Sequence, residues 1–169
     1  LVSVIVPVYI GGAVWGRCLD ARAVAYPPPG EVIVVDDGSS DGTFRRVVET
    51  YKDEPRVRAF TKSNAGKAHA LNFGLAQTNA EIVVALDADT LVRPDAIGKL
   101  VRHFADPRVG AVAGNAKVGN RITLLTDWQA LEYITSQNFE RRALDVLGAV
   151  SVVPGAIGAW RVSAVREAG

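Results

Sequence analysis

Glu31-Val32-Ile33-Val34-Val35-Asp36-Asp37-Gly38-Ser39-Ser40-Asp41-Gly42-Thr43 is the stretch that decides the fold class of this chain. It opens with a continuous run of β-branched residues, the pattern of a strand covered on both faces. It closes with two acids, turn-formers and the capping cluster Ser39-Ser40-Asp41. A helical period follows at once, with Phe44, Val47, Val48 and Tyr51 at i, i+3, i+4 and i+7.

The same alternation extends in both directions. Strand-like runs occupy Val2–Pro7, Arg56–Thr61, Glu81–Asp87 and Val109–Val118. Helical spacing recurs at Ala68, Leu71, Asn72 and Leu75, and again at Ile97, Leu100, Val101 and Phe104 after Pro94-Asp95. A longer helix is expected from Thr126, where Thr126-Asp127-Trp128-Gln129 fits a capping box, to about Leu147. Strand and helix in strict alternation imply an α/β, Rossmann-like, doubly wound and mostly parallel sheet with helices on both faces.

Composition narrows the function. The chain has 169 residues, the length of one domain, and a net charge of +1, which argues against a nucleic-acid partner. One cysteine, Cys18, excludes a disulfide framework, and two histidines exclude a histidine metal cluster. A bound metal would need oxygen ligands. No apolar run reaches the ~20 residues that span a bilayer; the longest uncharged stretch, Val146 to Trp160, is broken by Pro154 and three glycines. The absence of methionine leads us to expect a segment of a longer chain, with any membrane spans outside it.

In doubly wound sheets ligands bind beyond the carboxyl ends of the strands. Those ends carry Pro7-Val8-Tyr9, Asp36-Asp37-Gly38, Lys62-Ser63-Asn64-Ala65-Gly66-Lys67 and Asp87-Ala88-Asp89. In an extended backbone Asp87 and Asp89 leave on the same side. Two such carboxylates suit Mg²⁺ or Mn²⁺ shared with a diphosphate; the plainer reading is a solvated turn with Asp87 capping nearby amides. Asp36 and Asp37 are more acid than a helix cap needs and suit a ribose hydroxyl or a base N–H, although turn chemistry also explains them. Lys67 opens a helix, where the macrodipole disfavours a cation, so an acid or anion is expected beside it unless it faces solvent. His69 and Cys18 read as packing or surface residues. The spacing of Gly11, Gly12 and Gly16 fits no dinucleotide fingerprint, there is no P-loop, and Asp87-Ala88-Asp89-Thr90 has its threonine one place early for a haloacid-dehalogenase-type phosphatase.

Four motifs in order at four strand ends resemble the family 2 glycosyltransferases of GT-A fold: Val4-Ile5-Val6-Pro7-Val8-Tyr9, Val34 through Thr43, Asn64 through Asn72, and Asp87-Ala88-Asp89. The later segment, Gly114 to Arg121, Tyr133 to Arg142 and Val153-Pro154-Gly155-Ala156, is similar to the processive bacterial branch: poly-β-1,6-N-acetylglucosamine synthases, with hyaluronan, chitin and cellulose synthases close behind. The resemblance implies one GT-A domain over 1–169, with a nucleotide-sugar half at about 1–118 and the start of an acceptor side at 119–169. It implies that Pro7 and Tyr9 line a uracil pocket, that Asp37 bonds the base with Asp36 in support, and that Lys67 lies beside the uridine and diphosphate. Asp87, with Ala88, would meet the ribose or the metal's outer shell, and Asp89 would ligate Mg²⁺ or Mn²⁺. Gly155, Ala156, Trp160 and Arg161 would face the acceptor sugar.

The implied reaction is inverting transfer of a sugar, N-acetylglucosamine foremost, from a UDP-sugar to a growing β-linked polysaccharide at the cytoplasmic face of the bacterial inner membrane. The family's polar residue is replaced by Ile10, and Gly11 stands where an acid is frequent. Its catalytic base and Gln-x-x-Arg-Trp motif are expected beyond Gly169. A non-catalytic nucleotide-sugar-binding module is the alternative, and a doubly wound interaction domain a third reading.

Overall fold

The computed structural model describes residues 1–10, 29–115, 128, 140–146, 152–153 and 156–168. Six strands form one sheet: β1 (Val2–Val8), β2 (Glu31–Asp36), β3 (Val57–Thr61), β4 (Ile82–Leu86), β5 (Ala111–Ala113) and β6 (Ile157–Arg161). Helices α1 (Thr43–Thr50), α2 (Lys67–Ala76), α3 (Ala96–Val101), α4 (Glu140–Val146) and α5 (Val162–Ala168) accompany them, and a 3₁₀ turn over Arg102–Ala105 continues α3. Among the described residues no helix is long and apolar enough to cross a membrane.

The strand order is β3-β2-β1-β4-β6-β5. β1 pairs in parallel with both β2 and β4, and β2 in parallel with β3. The winding therefore reverses between β1 and β4, which makes their carboxyl ends the place for a ligand.

Alternation along the central strands divides the core into two layers. Val4, Val6 and Val8 pack with Val34, Val84, Leu86, Val47, Ile97, Leu100 and Phe104. Ile5 packs on the other face with Ile33, Val35, Val83, Ala70 and Val162.

The structure corrects the expected sheet in two places. β6 was not anticipated, and it runs antiparallel to both β4 and β5. Its sequence, Ile-Gly-Ala-Trp-Arg, follows a broken uncharged stretch and lacks the valine density of the other strands. β5 covers only Ala111–Ala113 of the expected Val109–Val118; Gly114 and Asn115 have left the strand, and residues 116–118 lie outside the described part. Of the expected long helix, Trp128 and Glu140–Val146 are helical, while its cap at Thr126 lies outside the described residues, as does Cys18.

The buried face of α2 also differs from the expected stripe. Ala68 and Asn72 are exposed, whereas Ala70 and Gly74 are the residues buried against the sheet. Small side chains allow a close approach here that a search for large apolar residues misses. A Cβ on Gly74 would lie 2.6 Å from Ile5 Cγ2 and 3.3 Å from Val35 Cγ2. We therefore expect Gly74→Ala to lower the unfolding free energy by about 1–3 kcal/mol, despite alanine's better helix propensity, as read by urea unfolding.

Candidate functional site

Two buried acids at the end of β2 organise the carboxyl edge. Asp36 and Asp37 are only 2% and 3% exposed, so each carboxylate must find donors inside the protein. Asp36 accepts the Ser39 N–H at 3.2 Å and the Thr61 hydroxyl at 2.9 Å. Ser39 Oγ in turn accepts the Ile10 N–H at 2.9 Å. Asp37 accepts the Lys62 ammonium, the Gly66 N–H at 2.7 Å and the Ala65 N–H at 3.2 Å. The Asp37 N–H donates to the Val8 carbonyl at 2.9 Å, and the Lys62 N–H to the Asp36 carbonyl at 3.0 Å. Through these bonds the ends of β1, β2 and β3 become one unit.

Glycine is required where the two loops meet. Gly38 has φ of +78°, and a Cβ on it would sit 2.8 Å from the Asn64 nitrogen. The N-cap of α1 is Gly42, outside the expected capping cluster and without a side-chain cap bond; Asp41, one residue before it, accepts the Thr43 N–H at 3.0 Å, and Ser39 is used for the link to Ile10. Ile10 itself has φ of 45°, in the left-handed region, where a β-branched residue is strained by on the order of 1 kcal/mol or more.

The fourth strand end joins through charge. Lys67, the first residue of α2, forms an ion pair with Asp87, just past β4. The acid expected beside this lysine is thus Asp87, and it offsets the unfavourable helix dipole. Asp87 and Asp89 are not arranged as an extended chain would place them. The Thr90 N–H donates to the Asp87 carbonyl at 3.1 Å, so Asp87-Ala88-Asp89 leaves β4 as a turn. Asp87 and Ala88 are half-buried and Asp89 is exposed. Among the described residues no cluster of three or more His, Cys, Asp or Glu is positioned to hold a metal. Any cation at Asp87 and Asp89 would therefore take most of its ligands from a bound anion or water.

The remaining predicted positions divide between the two edges of the sheet. Pro7 is half-buried on β1, and Tyr9 beyond it is 55% exposed at the reversal point. The Ala156 carbonyl accepts the Asp87 N–H at 3.3 Å, which puts Ala156 beside the acids; Gly155 lies outside the described residues. Because β6 is reversed, Arg161 pairs in register with Ile82, at the opposite end of β4 and roughly 13 Å along the strand from Leu86. Its guanidinium binds Glu81, the Phe104 carbonyl at 2.9 Å and the Val109 carbonyl at 3.3 Å. Arg161 thus lies at the end of β4 away from Asp87 and Ala156. Trp160 pairs with Val83 and packs on the Ile5–Val35 layer, its indole lying over Gly158. It is half-buried against that layer.

The sequence reading places Lys62 at a strand end but gives it no role there. The available signal was a second acid, Asp37, that a turn does not need and that burial obliges to find a cation. Burial pushes the Asp37 carboxyl up, but Lys62 and the Gly66 and Ala65 N–H groups outweigh it and hold the carboxyl below its usual 3.8. Unfolded chain then binds more protons than folded chain in that range, so this contribution is present above pH ~4 and is lost as pH falls further. We expect the melting temperature to drop more steeply below pH ~4 in the parent chain than in Asp37→Asn. We also expect Arg161→Met to lower stability by about 1–3 kcal/mol, because it strands two carbonyls, while leaving nucleotide affinity unchanged in a titration.

Comparison with known proteins gives the family. Residues 3–169 match the family model described as glycosyl transferase family 2. The chain is 34% identical over 140 residues to the poly-beta-1,6-N-acetyl-D-glucosamine synthase of Staphylococcus aureus (strain COL), covering 82% of this chain and 34% of that protein. It therefore spans about a third of the length of the curated relatives it matches. Among solved structures it is similar to the mannosyltransferase PcManGT from Pyrobaculum calidifontis in complex with GDP-Man and Mn²⁺, with a TM-score of 0.78 and 28% identity over 99% of this chain and 46% of that one. It is also similar to S. aureus TarS 1–349 in complex with UDP-GlcNAc, with a TM-score of 0.61 and 25% identity over 72% of this chain and 37% of that one. The chain has the GT-A fold and belongs to glycosyl transferase family 2.

Proposed function

We propose that this chain forms the donor-binding part of an inverting glycosyltransferase that takes N-acetylglucosamine from UDP-N-acetylglucosamine and adds it to a growing β-linked polysaccharide. The observation that carries the reading is the Lys67–Asp87 ion pair just past β4, on one side of the reversal point of the sheet, with the exposed Tyr9 just past β1 on the other. The names of two relatives, a poly-N-acetylglucosamine synthase and a protein solved with UDP-GlcNAc, support the choice of sugar.

The charges at this edge favour a metal-assisted site. Asp87 and Asp89 against Lys67 leave one negative charge in excess, which repels a diphosphate unless a divalent cation lies between them. Asp89, exposed at the turn, and Asp87 beside it would hold Mg²⁺ or Mn²⁺. A cation there supplies Lewis-acid stabilisation of the departing diphosphate. The chain's own residues do the positioning. Tyr9 and Pro7 offer an apolar surface to the base, and Lys67 supplies a fixed positive charge for the diphosphate. The half-buried Asp87 and Ala88 border the ribose. Ala156, tied to Asp87 through its carbonyl, begins the acceptor side together with Gly155. An acceptor hydroxyl would attack the anomeric carbon from the face opposite UDP, forming the β bond as the sugar–diphosphate bond breaks and giving up its proton to a general base that the family resemblance puts outside residues 1–169.

Calorimetric titration of the chain with UDP and with GDP, each with and without Mn²⁺, tests this reading. We expect binding that requires Mn²⁺, prefers UDP, and weakens by about tenfold or more in Asp89→Ala. Binding indifferent to Mn²⁺ and to Asp89, in protein shown to be folded, would overturn the metal–diphosphate assignment. A preference for GDP would overturn the choice of nucleotide.

A further inference from the structure

We infer that Ser39 is a positioning residue for Tyr9: its hydroxyl holds the strained Ile10 backbone and so fixes how the Tyr9 ring is presented to the base of the donor. The inference rests on the donor-site reading above and deepens it.

Among the described residues Ile10 alone combines a side chain with a positive φ, at 45°. A β-branched residue is a poor occupant of that region. Burial does not repay the strain, because Ile10 is 50% exposed. The conformation must therefore be imposed by a neighbour, and such outliers gather where the chain is held for a purpose. The hold is the Ile10 N–H, which donates to Ser39 Oγ at 2.9 Å across 29 residues of chain. One neutral hydrogen bond and the strain of one left-handed residue are of the same order. Without the hydroxyl, the backbone at Ile10 gains by relaxing.

Ser39 itself stands on a fixed support. Its N–H donates to Asp36 at 3.2 Å, and Asp36 is 2% exposed. Gly38 before it, with φ of +78°, lies so close to Asn64 that a Cβ would sit 2.8 Å from the Asn64 nitrogen. On the other side of Tyr9, the Val8 carbonyl accepts the Asp37 N–H at 2.9 Å. Tyr9 thus lies between two ties from the end of β2, one to the residue before it and one to the residue after it. The ring is 55% exposed, so packing does not set its direction. The backbone on either side does, because the rotamers open to a side chain depend on its φ and ψ. A ring presented in advance binds a base with less ordering cost than one that must be collected from solvent.

The test measures UDP affinity with Mn²⁺ by calorimetry. The variants are Ser39→Ala, Tyr9→Ala, Ile10→Asn and the doubles Ser39→Ala/Tyr9→Ala and Ser39→Ala/Ile10→Asn, each checked for folding by thermal melting. Ser39→Ala keeps the N–H that Asp36 accepts and removes only the hydroxyl. We expect it to weaken UDP about fivefold or more, but by less than about twofold in the Tyr9→Ala background. Asparagine takes the left-handed conformation readily. Ile10→Asn should therefore recover most of the Ser39→Ala loss, change the affinity of the parent chain by less than about twofold, and raise its melting temperature by about 2–4 °C.

Equal losses from Ser39→Ala with and without Tyr9 would route the hydroxyl's effect elsewhere and overturn the proposal. A loss that Ile10→Asn does not recover, or a melting temperature that it lowers, would remove the strained backbone as the link and overturn it too. Parent chain that binds UDP while Ser39→Ala binds it equally well sinks the proposal and leaves the donor reading standing. Parent chain that does not bind UDP sinks the donor reading, and the proposal with it.

Discussion

Burial of two adjacent carboxylates at the end of β2 is the constraint on which the rest of the carboxyl edge depends. Each charge removed from water must be met by donors with good geometry, or it destabilises the fold by several kcal/mol. Asp36 and Asp37 are met by different strands. Asp36 reaches Thr61 on β3 and, through Ser39, Ile10 beyond β1, whereas Asp37 reaches Lys62 and the entry to α2. What looks like one acidic doublet in the sequence is two separate ties. They leave the exposed groups, Tyr9, Lys67 and Asp89, on a support that is already satisfied.

The sheet supplies the second constraint. The reversal between β1 and β4 sets Tyr9 and Asp87 on either side of the point where a ligand fits. Antiparallel β6 then separates residues that are close in sequence. Its first end, with Ala156, returns to Asp87, and its last residue, Arg161, lies at the far edge among Glu81, Phe104 and Val109. Five residues of strand are enough to divide a candidate acceptor group from a brace of the opposite edge.

Several features were legible because they follow from local chemistry. Valine-rich runs gave β1 to β4 to within a residue or two, and the turn-formers after them marked where the strands end. Lys67 at the head of a helix announced an acid partner because its own helix disfavours it. The misses have physical reasons too. β6 is a strand by virtue of its neighbours, since its glycine and alanine carry little intrinsic preference. The buried face of α2 is made of Ala70 and Gly74, which a search for large apolar residues passes over. The turn at Asp87-Ala88-Asp89 breaks the two-residue alternation that an extended reading assumes. Ile10 holds a left-handed conformation against its own preference because Ser39 accepts its N–H.

By itself the sequence determined the fold class and the residue types gathered at the carboxyl ends of the strands, because periodicity, turn chemistry and helix dipoles are local. Only the tertiary structure decided which of those charges face solvent and which are spent inside. That division depends on contacts across 25 to 29 residues of chain, between Asp37 and the Lys62–Gly66 loop. It also depends on the direction of one strand, β6, which carried Arg161 away from the edge and brought Ala156 to it. Burial and strand direction are properties of the packed sheet, and no local pattern encodes them.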